Sequence, residues 1–132
     1  MEEVDYILFY GSLRRGEATF EQLNLGRRLE FVRPVRIAGA LYDLGDYPGL
    51  VLGALGQVKG ELYRILDPAV LAELDDYELY RPDDPAPYDA AKGTGSLYLR
   101  QAIGVGTTSA FVYVLNVPPT GPRIPGGDWR KR

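Results

Sequence analysis

Two hydrophobic periodicities alternate along the chain, and the strand-like one dominates. Short apolar or alternating runs predict β-strands, because period two places alternate side chains on one face of a sheet. The predicted strands cover residues 4–10, 29–42 (mostly extended), 50–52, 58–65, 97–105 and 109–115. The first run, 4–10, lacks clean alternation, which predicts a strand buried on both faces. Gly106, Thr107 and Thr108 separate the last two runs and predict a hairpin.

Two segments have helical spacing instead. Residues 17–25 predict a short helix that Gly26 ends, and residues 68–80 predict a longer one. Asp67 is a good N-cap for the longer helix, and Pro82 prevents its continuation. Because strands outnumber helices and are joined mostly by turns, we expect an α+β fold with a mixed, mostly antiparallel sheet, which can close into a barrel.

The remaining segments are rich in Pro and Gly. Residues 81–95 predict either a lid or a long surface loop, and the pattern leaves both open. Residues 118–132 form a Pro/Gly-rich tail that Ile124 and Trp129 could pin to the body. With 132 residues, we expect a single domain spanning 1–132.

The charge and hydropathy of the chain argue against a nucleic-acid or membrane partner. The net charge of −3 and the lack of a basic stripe with interleaved aromatic residues predict no nucleic-acid partner and no attraction to an anionic membrane. No apolar stretch approaches the roughly 20 residues that span a bilayer. The acidic N-terminus lacks the basic region of a signal peptide, so a cytoplasmic location is the expectation. The oligomeric state is left open.

The chain contains neither cysteine nor histidine. This composition excludes Ser-His-Asp and Cys-His catalysis, and it excludes metal sites built on cysteine or histidine. Acid–base chemistry would therefore depend on Asp, Glu, Tyr or Lys. The three lysines lie outside apolar stretches, which leaves the carboxylates as the leading candidates.

Glu78 is the carboxylate with the most unusual position. At about 100° per residue, it falls within the apolar arc of the 68–80 helix. The arc's other members are Val70, Leu71, Leu74 and Tyr77. Burial there would raise the pKa of Glu78 toward neutrality. The alternative is a structural role, in which Glu78 reaches water or pairs with Arg81 or Arg100.

The second candidate feature is the turn after the first strand, residues 9–16. Gly11 can adopt backbone angles closed to other residues, and it lets a ligand approach the main chain. Successive N–H groups in such a turn can bind an anion. A plain strand-to-helix connection without a ligand is the alternative.

Several motifs, in order, resemble the gamma-glutamylcyclotransferase-like family. They are Tyr10-Gly11-Ser12-Leu13, Tyr47-Pro48-Gly49-Leu50, Val58-Lys59-Gly60-Glu61-Leu62-Tyr63, Leu74-Asp75-Asp76-Tyr77-Glu78, Tyr98-Leu99-Arg100 with Ile103 and Val105, Ala110-Phe111-Val112-Tyr113-Val114, and Gly127-Asp128-Trp129. No single motif is specific, but their order over nearly the whole chain is. In one departure, Leu79 follows Glu78 where the family often has Gly.

The resemblance implies a small, mostly antiparallel β-barrel with short helices packed outside. It also implies conversion of a small-molecule γ-glutamyl amine or amino acid into 5-oxoproline and the free amine, with no metal or cofactor. Glu78 would transfer the protons. The turn Tyr10, Gly11, Ser12 and Leu13 would bind the γ-glutamyl head, its α-carboxylate or its oxyanion. Further substrate contacts are expected from Tyr47, Pro48, Tyr98, Arg100 and Tyr113.

Two other functions fit the same residues. One is a non-catalytic module that binds a small carboxylate-containing metabolite on the same fold. The other is a hydrolase that pairs Glu78 with Asp75 or Glu61 across a cleft. Asp75 lies one helical turn away, just outside the apolar arc, and would otherwise accept backbone N–H bonds. Strand alternation predicts that Glu61 points outward, beyond reach of Glu78.

Overall fold

The computed structural model describes residues 4–53 and 56–132. Its strands, numbered in chain order, are β1 (Tyr6–Phe9), β2 (Leu29–Ala38), β3 (Ala40–Asp43), β4 (Pro48–Val51), β5 (Gln57–Ile65), β6 (Tyr98–Val105) and β7 (Thr108–Leu115). Its α-helices are α1 (Ala18–Gln22) and α2 (Val70–Tyr77). Short 3₁₀ turns occur at Leu25–Arg27 and Trp129–Lys131.

Both helices are shorter than predicted. Gly26 lies within the first 3₁₀ turn instead of ending α1. Asp67 still prepares the start of α2, because its carboxylate accepts the Ala69 N–H at 3.1 Å. The helix itself begins only at Val70. The predicted β6–β7 hairpin is confirmed, and it pairs in register from Tyr98 opposite Leu115 to Val105 opposite Thr108.

Five strands form one mixed sheet in the order β2-β5-β1-β7-β6. Only the β1–β7 pair is parallel, so the expected mostly antiparallel sheet is confirmed. The expected closed barrel is not formed. In the described chain, β2 and β6 are the two edges of the sheet and do not pair. The β3–β4 hairpin forms a separate sheet, and its Leu41 and Leu50 belong to the apolar core on one face of the larger sheet.

The central strand β1 separates two apolar cores. Leu8 packs into the core shared with the β3–β4 hairpin, and Ile7 and Phe9 pack on the helical side. These three side chains are at most 2% exposed, which confirms the predicted burial on both faces. Because successive side chains of β1 enter opposite cores, the strand ends at residue 10 between two packed layers.

The tail closes over the hairpin core. Ile124 and Trp129 are both buried in that core, as predicted. The 3₁₀ turn at Trp129 is capped by the Asp128 carboxylate, which accepts the Arg130 N–H at 3.0 Å. The C-terminal residues thus lie close to the loop that follows β1, as the Arg130–Glu17 ion pair at 3.2 Å also shows.

Candidate active site

The turn after β1 is packed tightly against the start of β4. The Arg14 N–H donates to the Gly11 carbonyl at 3.1 Å, which closes the turn. Gly11 does not have the positive φ that its residue type allowed. A Cβ there would instead lie 2.5 Å from Cγ of Pro48. Close approach to Pro48 is therefore the physical reason for a glycine at this position.

A cavity of about 250 Å³ opens beside this turn. It is lined by Leu8, Phe9, Tyr10, Gly11, Ser12, Leu13, Tyr47, Pro48, Tyr77, Glu78, Leu79, Leu97, Tyr98 and Tyr113. The lining includes every residue predicted from the sequence to form the site except Arg100. No residue of the predicted lid or loop, 81–95, belongs to the described lining.

Glu78 is the carboxylate of this lining. It follows the last residue of α2, and its N–H still donates to the Leu74 carbonyl at 2.9 Å. In the described chain it forms no ion pair, so neither Arg81 nor Arg100 neutralises it. Burial raises the pKa of the Glu78 carboxyl from 4.5 to about 8. The carboxyl can therefore gain or lose a proton near neutral pH.

Three buried tyrosines form the walls around Glu78. The Tyr10 hydroxyl donates to the Tyr113 carbonyl at 2.7 Å, and the Tyr98 hydroxyl donates to the Pro48 carbonyl. Burial is the main cause that raises the pKa of all three tyrosines, and the Glu78 charge adds to it. They consequently remain neutral, and their protons are already committed to acceptors in the protein.

Behind the wall, Asp75 joins Tyr113 to Arg100. The Tyr113 hydroxyl donates to Asp75 Oδ1 at 2.7 Å, and Arg100 Nε lies 2.9 Å from the same oxygen. Asp75 is buried, whereas the helical arc placed it at the border and predicted backbone N–H partners. Arg100 thus supports the wall without lining the cavity. A buried tyrosine hydroxyl needs a hydrogen-bond acceptor. This requirement of Tyr113 was the signal that could have identified Asp75 as its partner.

Sequence reasoning missed two residues at the cavity mouth. Tyr77 was predicted to face the core but is 42% exposed, and its hydroxyl lies 3.3 Å from Oγ of Ser12. Leu79 has a φ of 53°, in the left-handed region where glycine is favoured. The sequence signal for this conformation was that the family often has glycine at this position. In this chain a leucine adopts that conformation.

Glu61 lies outside the cavity lining, and the prediction that it points outward was wrong. It is buried, accepts the Tyr63 hydroxyl at 2.6 Å and lies 3.5 Å from Nε of Arg14. Because Asp75 and Glu61 are both tied to arginines and neither lines the cavity, the geometry does not favour a carboxylate pair with Glu78.

Among residues 4–53 and 56–132, no group of three or more acidic side chains is arranged to hold a metal ion. In the same part of the chain, no helix combines the length and apolar character that crossing a bilayer requires.

The chain belongs to the gamma-glutamylcyclotransferase family. The family profile described as "Gamma-glutamyl cyclotransferase, AIG2-like" matches residues 7–131, which include both the turn and Glu78. The chain is also 43% identical over 93 residues to the gamma-glutamylcyclotransferase family protein YtfP of Escherichia coli K12. That match covers 70% of this chain and 68% of YtfP.

Solved structures agree with this assignment. The solution structure of ytfP from Escherichia coli superposes with a TM-score of 0.64 at 35% identity, and the match covers 94% of this chain and 95% of that one. The crystal structure of protein PH0828 from Pyrococcus horikoshii has a TM-score of 0.68 at 23% identity, with 96% and 90% coverage, and shares the fold.

Proposed function

We propose that this protein is a γ-glutamyl cyclotransferase that releases 5-oxoproline from a small γ-glutamyl amine or amino acid by intramolecular aminolysis. The observation that carries the proposal is Glu78, a carboxyl with a pKa of about 8 and no ion pair among the described residues, which lines one cavity with the turn at residues 10–13. Family membership supports the same class of reaction.

The reaction moves two protons from the attacking nitrogen to the departing nitrogen. Glu78 takes a proton from the substrate's α-ammonium group, and the freed amine nitrogen attacks the γ-carbonyl carbon. The new C–N bond closes the five-membered ring. The ring nitrogen then loses a second proton as the old amide C–N bond breaks, and Glu78 passes both protons, one after the other, to the departing nitrogen, which leaves as an amine in its ammonium form. No water is consumed, and the products are 5-oxoproline and the free amine.

The cavity walls would hold the substrate in its folded, reactive conformation. Holding the α-amine close to its own γ-carbonyl carbon means that the entropic cost of folding a flexible chain is met on binding, and the attack is faster as a result. We assign the γ-glutamyl head to the turn Tyr10–Leu13, whose N–H groups and Ser12 hydroxyl can bind a carboxylate or the developing oxyanion. Pro48 fixes that turn through its contact at Gly11. Tyr98 and Tyr113 form the apolar wall that keeps Glu78 desolvated.

Glu78→Gln tests the proposal directly. It preserves size and hydrogen bonding but removes the transferable proton, so we expect the rate of 5-oxoproline release to fall at least about 100-fold. The assay incubates the enzyme with γ-glutamyl amino acids, γ-glutamyl amines and glutathione, and detects 5-oxoproline by mass spectrometry. Circular dichroism checks that the fold is intact.

The matched control is Glu21→Gln, which makes the same change at an exposed site on α1. It should keep wild-type turnover. Normal turnover by Glu78→Gln would show that Glu78 does not transfer the proton. If the wild type bound a γ-glutamyl compound in a calorimeter and left it unchanged, a binding module would replace the proposed enzyme.

A further inference from the structure

A second cavity, of about 400 Å³, is lined by both edge strands of the five-stranded sheet. We call it the edge cavity, and its described lining residues are Arg33, Val35, Arg36, Ile37, Ala38, Leu52, Ile103, Gly104, Val105 and Gly106. None of them lines the cavity that contains Glu78. The volume falls within the range of small-molecule sites, so the edge cavity is a candidate binding site of its own.

The floor of the edge cavity is apolar. Val35, Ile37 and Val105 are buried members of the core shared with the β3–β4 hairpin. Leu52 and Ile103 pack against the same core and remain partly exposed. An apolar ligand body placed on this floor would leave water along one side, and that burial would add to the affinity.

The polar part of the lining is a pair of arginines. Neither the Arg33 nor the Arg36 guanidinium forms an ion pair or a hydrogen bond with another described residue. A Nη atom of Arg33 lies 3.5 Å from the place that a Cβ would take at Gly106, so this side chain reaches from β2 to the turn after β6. The chain has a net charge of −3, yet the described lining of this cavity contains two cations and no Asp or Glu. The anionic group of a ligand would therefore meet two cations that have no other partner.

The strand register adds to the positive charge around Arg36. This residue lies directly opposite Lys59 on β5. Like charges at facing positions destabilise a pair of strands. Lys59 has Asp128 at 3.9 Å, whereas Arg36 has no acidic partner among the described residues. A bound anion would offset this repulsion.

The β2 edge is poorly suited to accept another strand. An exposed edge can pair with an extended peptide through its main-chain N–H and C=O groups. Pro34 has no N–H to donate, and the pairing register of β2 shifts between Phe31 and Arg33. Proline, positive charge and bulges are features that protect sheet edges against strand addition. A small molecule held by side chains is therefore favoured over a peptide strand.

We infer that the edge cavity binds a small organic anion with an apolar body, with its charge at Arg33 and Arg36 and its body on the apolar floor. Guanidinium groups bind carboxylates and phosphates through charge-assisted hydrogen bonds that are often bidentate. Both head groups share this chemistry, and their relative affinities distinguish them. The inference is independent of the proposed function, because it uses none of the residues around Glu78.

Octanoate and octyl phosphate are the probes for the first test, which measures binding by isothermal titration calorimetry. Octanamide has a similar body without the charge, octylammonium reverses the charge, and butanoate and butyl phosphate shorten the body. The tighter of the two octyl anions identifies the preferred head group. It should bind at least about tenfold more tightly than octanamide and than its own four-carbon counterpart, and octylammonium should not bind. The inference is overturned if octanamide binds as tightly as both octyl anions, or if neither anion binds.

The location of the bound anion is checked by NMR. When the wild type is titrated with the tighter anion, backbone amide shifts should change at residues 35–38 and 103–106. The shifts at residues 10–13 and at Glu78 should stay unchanged. Changes confined to residues 10–13 and Glu78 would place the anion in the other cavity and refute the edge site.

Replacing both arginines tests their role. The double variant Arg33→Gln/Arg36→Gln removes both charges, so affinity for the octyl anion should fall at least about tenfold while affinity for octanamide stays the same. Release of 5-oxoproline should stay at the wild-type level, because neither residue lines the cavity of Glu78. Arg27→Gln changes an exposed arginine outside the edge cavity and should keep wild-type affinity.

The double variant also separates ligand binding from edge protection. Unchanged affinity for the octyl anion in this variant would overturn the inference. If size-exclusion chromatography then showed increased self-association, the two arginines would instead serve to keep the β2 edge from pairing with a second chain.

Discussion

At the scale of single residues, Glu78 and Gly11 show how an ordinary side chain becomes unusual through its neighbours. Glu78 has no charged partner in the described chain, so desolvation alone sets its pKa near 8. Gly11 is required because Pro48 occupies the place of a Cβ. Both effects arise from what surrounds the residue, and each leads to a measurable expectation.

The raised pKa of Glu78 predicts a specific pH dependence. Only the unprotonated carboxylate can accept the substrate's proton, and its fraction grows as the pH rises toward about 8. We therefore expect kcat/KM to rise with pH, by close to tenfold per unit well below that value, and to level off above it. A flat profile between pH 6 and 9 would contradict the assignment, as would an unchanged inflection in the residual activity of Glu78→Gln.

Gly11→Ala should damage the site through the turn. The added methyl would lie 2.5 Å from Cγ of Pro48, so the turn or the start of β4 must move. Displacement on this scale should lower kcat/KM roughly 10- to 100-fold. Gly104→Ala is the matched control, because a Cβ there meets nothing within 4 Å. Equal steady-state kinetics for the two variants would argue against a role for the turn.

At the scale of elements, α2 connects the sheet to the cavity through its last two turns. Asp75 faces inward to Tyr113 of β7 and Arg100 of β6, and Glu78 ends the helix at the cavity. The ion pair is largely shielded from solvent, with side-chain exposures of 19% for Arg100 and 11% for Asp75. The pair holds the orientation of Tyr113, and through it one wall beside Glu78.

Asp75→Ala should destabilise the protein strongly. It would leave Arg100 and the Tyr113 hydroxyl without their shared acceptor, and breaking a buried pair in this way costs about 3 kcal/mol. Urea denaturation should show the loss in the free energy of unfolding. Asp76→Ala removes an exposed carboxylate from the same helix and should change stability by less than about 0.5 kcal/mol. Similar losses for both variants would show that the pair is not energetically important.

At the scale of the whole molecule, the loop that follows β1 is joined to the C-terminal tail. Arg14 is 3% exposed and bridges Glu61 of β5, at 3.5 Å, to Asp128 of the tail, at 3.2 Å. The Arg15 N–H also donates to Glu61, at 3.1 Å. The turn is consequently supported by residues from the beginning, middle and end of the sequence.

Arg14→Ala should therefore affect stability more than an ordinary arginine substitution. It removes the nearest cation from two buried carboxylates, which keep only the longer cation contacts, to Lys59 at 3.9 Å and to Arg130 at 4.0 Å, and we expect a loss of about 3 kcal/mol in urea denaturation. Arg27→Ala, at an exposed position, is the control and should stay within about 0.5 kcal/mol of the wild type. If Asp128→Ala and Arg14→Ala were fully additive in the double variant, the proposed coupling would be absent.

The sequence by itself determined most of the strands, the helix α2, the β6–β7 hairpin and the placement of Glu78 on an apolar face. These features depend on the spacing of neighbouring residues, and local periodicity records that spacing directly. The order of the motifs determined the family, because a series of short matches along one chain is specific even where each match is not. The turn at residues 10–13 was identified in the same way.

Only the tertiary structure decided whether the sheet closes and which charges meet. In the described chain, β2 and β6 stay at opposite edges of the five-stranded sheet while β3 and β4 form a sheet of their own, and no local pattern announces that arrangement. Tyr113 reaches Asp75 across 38 residues, and Arg100 reaches it across 25. Helical periodicity orients a side chain relative to its own helix, but which strand residues meet it depends on the packed sheet. That packing placed Tyr77 and Leu79 at the cavity mouth and buried Glu61 against Arg14.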